Sequence, residues 1–243
     1  MDWELGGGNM NSVRRIGNTV TRLAGPWTPT VHRYLTQLWD AGVTGVPRPL
    51  SIEGDREVLT FVEGEVPEYP LPDWVWADSA LGEAATRLRA LHDASTGSNS
   101  ASAVWQSAAH APFEVICHND FAPHNLAFRD GHVVGVIDFD LCSPGPRVWD
   151  LAYLATRMVP LTTEPHEGAP GEDQWERRIQ LMLDRYGSDL RVEEVILVAV
   201  ERLRDLATFS RSKALEIGKA ELNDHAALYD RDATYLEQTV PLG

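Results

Sequence analysis

One octet constrains this chain more than any other stretch: His118-Asn119-Asp120-Phe121-Ala122-Pro123-His124-Asn125, followed by Ile137-Asp138-Phe139-Asp140. An Asp five residues before an Asn, on a loop leaving the apolar run Val115-Ile116-Cys117, can set a carboxylate against an acceptor hydroxyl and an amide oxygen against a divalent cation. Asp138 closes a second apolar run, Val133 to Ile137, which follows the turn Asp130-Gly131, so the two segments are expected side by side. The pattern suits phosphoryl transfer to a hydroxyl, where the protein contributes mainly position and charge neutralisation. Asp120 is then the expected base, and Asn125 and Asp138 the hard oxygen ligands that Mg2+ prefers. His118, two residues before the expected base, reads as a brace for the loop and not as a proton shuttle. Asp140 stays open between a further acidic contact to the metal and a cap for the turn Ser143 to Pro146, the turn being preferred, and His124 is assigned no role.

Upstream, Gly6-Gly7-Gly8-Asn9 precedes Val13 to Ile16, a Gly17-Asn18 turn and Thr19 to Arg22, which reads as a strand, a loop and a hairpin. Backbone N–H groups at Gly7, Gly8 and Asn9 are expected to lie over nucleotide phosphates, because glycine lets the backbone approach anionic oxygens closely. A helix follows, with Thr28 as expected cap, Pro29 in its first turn, apolar residues at Val31, Tyr34, Leu35, Leu38 and Trp39, and Gly42 as stop. Further helices are expected over Ser79 to His92, Asp173 to Tyr186, Val192 to about Phe209, and His225 to Glu237.

The segment Val115 to Met158, with Trp149-Asp150-Leu151-Ala152-Tyr153 after the octet, resembles the catalytic core of the aminoglycoside phosphotransferase group of small-molecule kinases, relatives of choline kinases and protein kinases. The resemblance implies an α+β, two-lobed protein-kinase-like fold. Residues 1–64 would form a nucleotide-binding lobe, a small antiparallel sheet with one helix, and residues 65–243 a mainly helical catalytic and acceptor-binding lobe. It also implies a hinge at Leu59 to Gly64, with the Thr60 carbonyl and Val62 N–H facing adenine, and a structural role for Asp150 in anchoring the catalytic loop. The main departure from the family concerns both partners of one ion pair. Its only lysines are Lys213 and Lys219, so the strand position that carries a phosphate-binding lysine falls to Arg22, and no acid lies between Pro29 and Trp39, where His32 stands near the usual glutamate. Arginine offers the same charge in a bulkier planar fork, which alters phosphate handling.

The formal net charge of -15 argues against a nucleic-acid or anionic-membrane surface as partner and favours a cationic small-molecule acceptor. The two cysteines, Cys117 and Cys142, are too few for a disulfide scaffold and are expected free. The start lacks a basic region followed by an apolar one, and the longest clean apolar run is Val195 to Val200, so a cytoplasmic protein without a membrane span is expected. The activity implied is that of an O-phosphotransferase using ATP or GTP with Mg2+ on a small hydroxylated molecule, an aminoglycoside or other antibiotic foremost. The alternatives are a kinase of a choline- or sugar-like metabolite, and a kinase-like immunity or binding module without turnover, which the Arg22 and His32 departures motivate.

Overall fold

Short β-branched runs separated by tight turns build the first part of the chain into an antiparallel sheet. The structure is a computed structural model and describes residues 2–5, 13–98 and 103–239. Gly7, Gly8 and Asn9 lie outside the described residues. Strands β1 (Asp2–Leu5), β2 (Val13–Ile16), β3 (Thr19–Leu23), β4 (Pro49–Glu53) and β5 (Arg56–Thr60) form one sheet in the order β1-β2-β3-β5-β4. In the β3–β5 pair, Val20 lies opposite Leu59 and Arg22 opposite Glu57.

Helix α1 (Thr28–Asp40) buries Val31, Tyr34, Leu35 and Leu38, the face that a 3.6-residue period aligns. It begins one residue earlier than expected, at Thr28 itself: Trp27 is the N-cap, and Pro29 occupies the first turn, where a missing N–H costs nothing. The Thr28 hydroxyl instead accepts the Gly25 N–H at 2.9 Å, bracing the chain's approach to the helix. Gly42, at φ 80°, turns the chain after it.

Two short hairpin-like pairs follow: β6 (Val115–Cys117) with β9 (Ser143–Gly145), and β7 (Leu126–Arg129) with β8 (His132–Val136). The segment leaving β5 docks on the β7–β8 pair through reciprocal 2.7 Å backbone bonds between Glu65 and Phe128. Glycine is required at this contact and at a second one, where the chain between α1 and β4 approaches β8. A Cβ on Gly135 would stand 2.4 Å from Val62 Cγ1, and one on Gly45 would stand 2.3 Å from the Val134 carbonyl oxygen.

By packing, the chain forms two compact units interleaved in sequence: residues 1–67 with 87–147, and residues 68–86 with 148–243. The first holds the sheet, α1 and the octet. The second is helical, built from the start of α2 (Asp78–Ala94), nearly all of α3 (Arg147–Met158), and α4 (Trp175–Tyr186), α5 (Val192–Ile217) and α6 (Leu222–Thr239). Helix α5 runs beyond the expected end at Phe209 because α6 lies along it: Arg204 meets Glu237 at 2.6 Å, and Arg211 meets Asp230, a pairing that rises on one helix as it falls on the other. The apolar pattern fades there, with Leu215 87% exposed, so periodicity alone stops short.

Inside this second unit, consecutive arginines of α4 clamp the first turn of α2. Arg177 reaches Asp78 at 2.6 and 3.2 Å, and the buried Arg178 reaches it at 2.6 Å while donating to the Met158 carbonyl at 2.9 Å. Tyr69 and Trp76, on the stretch leading into α2, pack against His166 from the stretch after α3. Neither cysteine is in a disulfide, and both are buried. No described helix is long and apolar enough to cross a membrane.

Two outcomes follow from this packing. Leu35→Ala removes a fully buried side chain of α1 and is expected to cost about 2–5 kcal/mol, seen as a lower urea midpoint with an unchanged slope. The hydrogen bond from Arg177, reinforced by the charges of Arg177 and Arg178, holds the Asp78 carboxyl below its ordinary value of 3.8. A depressed carboxylate stabilises the fold above its unfolded pKa and loses that contribution as the pH falls through the depressed value. Asp78→Asn should therefore flatten the acid limb of a stability-against-pH curve while changing little of its shape near neutrality.

Candidate active site

The octet is the connection between β6 and β7, and its backbone is held in conformations that few residues adopt. Asn119 has φ 64° and Asp138 has φ 60°, left-handed positions where Asn and Asp are tolerated and β-branched residues are strained. Asn119 secures its turn by donating from Nδ2 to the Leu141 carbonyl and to Ser143 Oγ, both at 2.7 Å. His118 links the octet to the strand that leads to Asp138. Its Nδ1 accepts the Asp120 N–H at 3.3 Å, which leaves Nε2 to donate to the Ile137 carbonyl at 3.0 Å. The ring also packs against Phe121 and Phe139. The Ile137 N–H in turn reaches the Asn125 carbonyl at 2.9 Å, so the chain around Asp138 is tied to both ends of the octet.

Asp120 and Asn125 are brought into direct contact. Asn125 Nδ2 donates to the Asp120 carbonyl at 2.9 Å and to its Oδ2 at 2.8 Å, and His124 Nε2 lies 3.3 Å from the same Oδ2. The carboxylate is thus aimed by its neighbours, with a quarter of its side chain open to solvent. His124, to which the sequence gave no role, is one of those neighbours.

Asp138 and Asp140 meet the N-terminal sheet through one side chain, Arg22 of β3. Its Nη1 bonds Asp138 at 2.8 Å, its Nη2 bonds Asp140 at 2.5 Å, and its Nε bonds Glu57 of β5 at 2.7 Å. His32 of α1 holds the other Glu57 oxygen at 2.7 Å. Burial works against the Arg22 charge, but the carboxylates of Asp140, Asp138 and Glu57 outweigh it and hold the guanidinium above its ordinary value. One cation cannot fully compensate three acids. Burial, with Asp138 and Glu57 adding to it against Arg22, pushes the Asp140 carboxyl up to about 6. Asp140 therefore faces the cluster and not the turn that the sequence favoured for it.

These donors fit a magnesium ion. Asn125 commits its nitrogen to Asp120, so its oxygen is the atom it offers to a cation, and Asp138 presents a carboxylate whose side chain is 48% exposed. Hard, oxygen-only donors of this kind suit Mg2+. Elsewhere, Thr60 ends β5, its N–H bonded to the Arg48 carbonyl and its hydroxyl accepting the Arg48 N–H. Val62 follows in the segment that docks on β7–β8, and Asp150 is fully buried in the first turn of α3. Glu57 is the residue that sequence reasoning missed. Its signal was an acid in a strand also rich in apolar residues, but its pairing with Arg22 depends on a register that skips over α1 and β4.

Comparison with known proteins identifies the family and the fold. A family model described as a phosphotransferase enzyme family matches residues 70–186. The chain is 31% identical over 194 residues to the trifolitoxin immunity protein of Rhizobium leguminosarum bv. trifolii, covering 75% of this chain and 73% of that one. Among solved structures, an ethanolamine kinase of Plasmodium vivax superposes with a TM-score of 0.71 at 12% identity, over 99% of this chain and 83% of its own. A gentamicin complex of APH(2")-IIa gives a TM-score of 0.64 at 13% identity, over 99% of this chain and 92% of its own. The fold is kinase-like, with the small antiparallel sheet first and the helices after it.

The left-handed turn before Asp120 yields an ordered pair of variants. Asn119→Ala loses two side-chain hydrogen bonds and sets a Cβ-bearing residue of poor fit at φ 64°, for an expected cost of about 2–4 kcal/mol. Asn119→Gly loses the same bonds without the backbone strain, so chemical denaturation should rank it between the wild type and the alanine variant.

Proposed function

The chain belongs to the phosphotransferase enzyme family of small-molecule phosphotransferases, and on that premise we propose that it moves the terminal phosphoryl group of ATP or GTP to a hydroxyl of a small, hydroxylated acceptor. The observation that carries this reading is the Asp120 carboxylate aimed by Asn125 Nδ2 at 2.8 Å, one loop away from Asp138. In the reaction, Asp120 orients the acceptor oxygen in line with the terminal phosphorus and takes the hydroxyl proton. A bond forms from that oxygen to phosphorus, the bond from phosphorus to the bridging oxygen breaks, and the nucleoside diphosphate leaves with the electron pair. Asn125 and Asp138 are the residues that would hold Mg2+, which when bound neutralises charge on the phosphate oxygens. Arg22 serves as the cation for the phosphates from the third strand. His118 keeps the octet and the Asp138 segment in one rigid piece.

In this reading residues 1–64 form the nucleotide lobe and residues 65–243 the catalytic and acceptor lobe. Thr60 and Val62 offer backbone groups to the base, Gly7, Gly8 and Asn9 cover the phosphates, and Asp150 steadies the catalytic loop. The net charge of -15 suits a cationic acceptor, and the likeness to an immunity protein suits a resistance role, so an aminoglycoside or other antibiotic is the favoured acceptor class. The cytoplasm, which supplies the nucleotide, is the compartment it implies. A second reading, a module that binds without turnover, is favoured by one observation: the guanidinium of Arg22 already spans Asp138 and Asp140.

Release of nucleoside diphosphate from MgATP and MgGTP, across aminoglycosides, other antibiotics, amino alcohols and sugars, separates the two. The phosphotransferase gives acceptor-dependent release that falls about 10²–10⁴-fold in Asp120→Asn. A folded chain that binds nucleotide with no release for any acceptor is a binding module.

A further inference from the structure

The kinase-like arrangement needs an acid to hold its phosphate-facing cation in place, and α1 supplies none between Pro29 and Trp39. We propose that Glu57, on β5, is that acid: a positioning residue which anchors Arg22 from behind, with His32 securing Glu57 in turn. This rests on the reading of Arg22 as the nucleotide's phosphate ligand.

Three observations carry it. Glu57 lies directly opposite Arg22 in the β3–β5 register, and it is 1% exposed. Its two oxygens are divided between two partners, Oε1 to Arg22 Nε and Oε2 to His32 Nε2, each at 2.7 Å. The bond to Arg22 uses Nε alone, so both terminal nitrogens turn toward Asp138 and Asp140. A purely structural role explains this poorly, because an apolar cross-strand pair of similar volume stabilises a sheet at least as well as a buried ion pair.

The same geometry explains why the cation is arginine. A lysine has one nitrogen, which must touch its anchoring acid and the phosphates together, so the acid has to stand beside the phosphate site. An arginine separates the tasks: Nε holds the anchor, and Nη1 and Nη2 do the work. The anchor is then free to move behind the cation, onto the neighbouring strand. Arg22 and Glu57 are one exchange, not two unrelated losses.

The test is binding of a fluorescent trinitrophenyl ATP or GTP, displaced by the unlabelled triphosphate and by the bare nucleoside, with magnesium present, using the full chain. Glu57→Gln should weaken the triphosphate about 10–100-fold while the nucleoside is displaced as in the wild type, since the anchored group faces phosphates and not the base. Arg22→Lys should cost a similar factor alone and little more when added to Glu57→Gln, because both break one linkage. His32→Gln keeps the Arg22–Glu57 bond and should weaken the triphosphate selectively by a smaller factor. It also carries the test if Glu57→Gln fails to fold. Equal weakening of triphosphate and nucleoside, or wild-type triphosphate affinity in a folded Glu57→Gln or in His32→Gln, overturns the assignment. A wild-type chain that binds no nucleotide overturns the functional reading first, which makes the two failures distinguishable.

Discussion

The guanidinium of Arg22 is the point on which the first unit's polar architecture turns. Four segments converge on it: β3 supplies it, β5 anchors it through Glu57, α1 reaches it through His32 on Glu57, and the stretch after β8 presents Asp138 and Asp140. Taking charges from water is expensive, and such a cluster survives only if each member is paired and the geometry is good. The pairing here is good but unequal, one firm cation for three acids, and burial, with the neighbouring acids adding to it, raises the Asp140 carboxyl. A centre with surplus negative charge has a standing demand for cations. That demand is what a metal–nucleotide complex would answer.

Around this cluster the apolar framework does the positioning. Tyr34 of α1 packs edge-on against Phe139, between the two acids, and His118 packs against the same ring. The β7–β8 pair is held to the segment after β5 and to the chain between α1 and β4 by backbone bonds, with glycines at Gly135 and Gly45 where a single added carbon would collide. The polar residues are therefore carried on rigid strands and on a loop whose turns are locked. Little of the site depends on mobile side chains.

How much of this was legible in the sequence depended on the distance between partners along the chain. Asp120 and Asn125 sit in one loop, so their spacing announced their contact, and the apolar runs on either side announced the strands. The helices showed their buried faces by period, down to Leu35 and Leu38 in α1. Glu57 stayed hidden because its pairing with Arg22 is a matter of strand register across an intervening helix and strand, which no local pattern encodes. Asp140 was drawn to Arg22 for the same reason. The end of α5 was hidden differently: its last turns are held by α6 and by ion pairs, with the apolar signal already spent.

The left-handed backbone at Asp138 has a bearing on how such a chain changes over generations. At φ 60° the residues that sit comfortably are Gly, Asn and Asp, and both Gly and Asn lie one base change from an aspartate codon. Either substitution keeps the turn, and Arg22 keeps Glu57 and Asp140 as partners, so the fold endures. What vanishes is one negative charge at the place where a metal would bind. Descent with modification thus has a short, structurally gentle road from a kinase to a silent receptor, and none so gentle toward a different chemistry at that position.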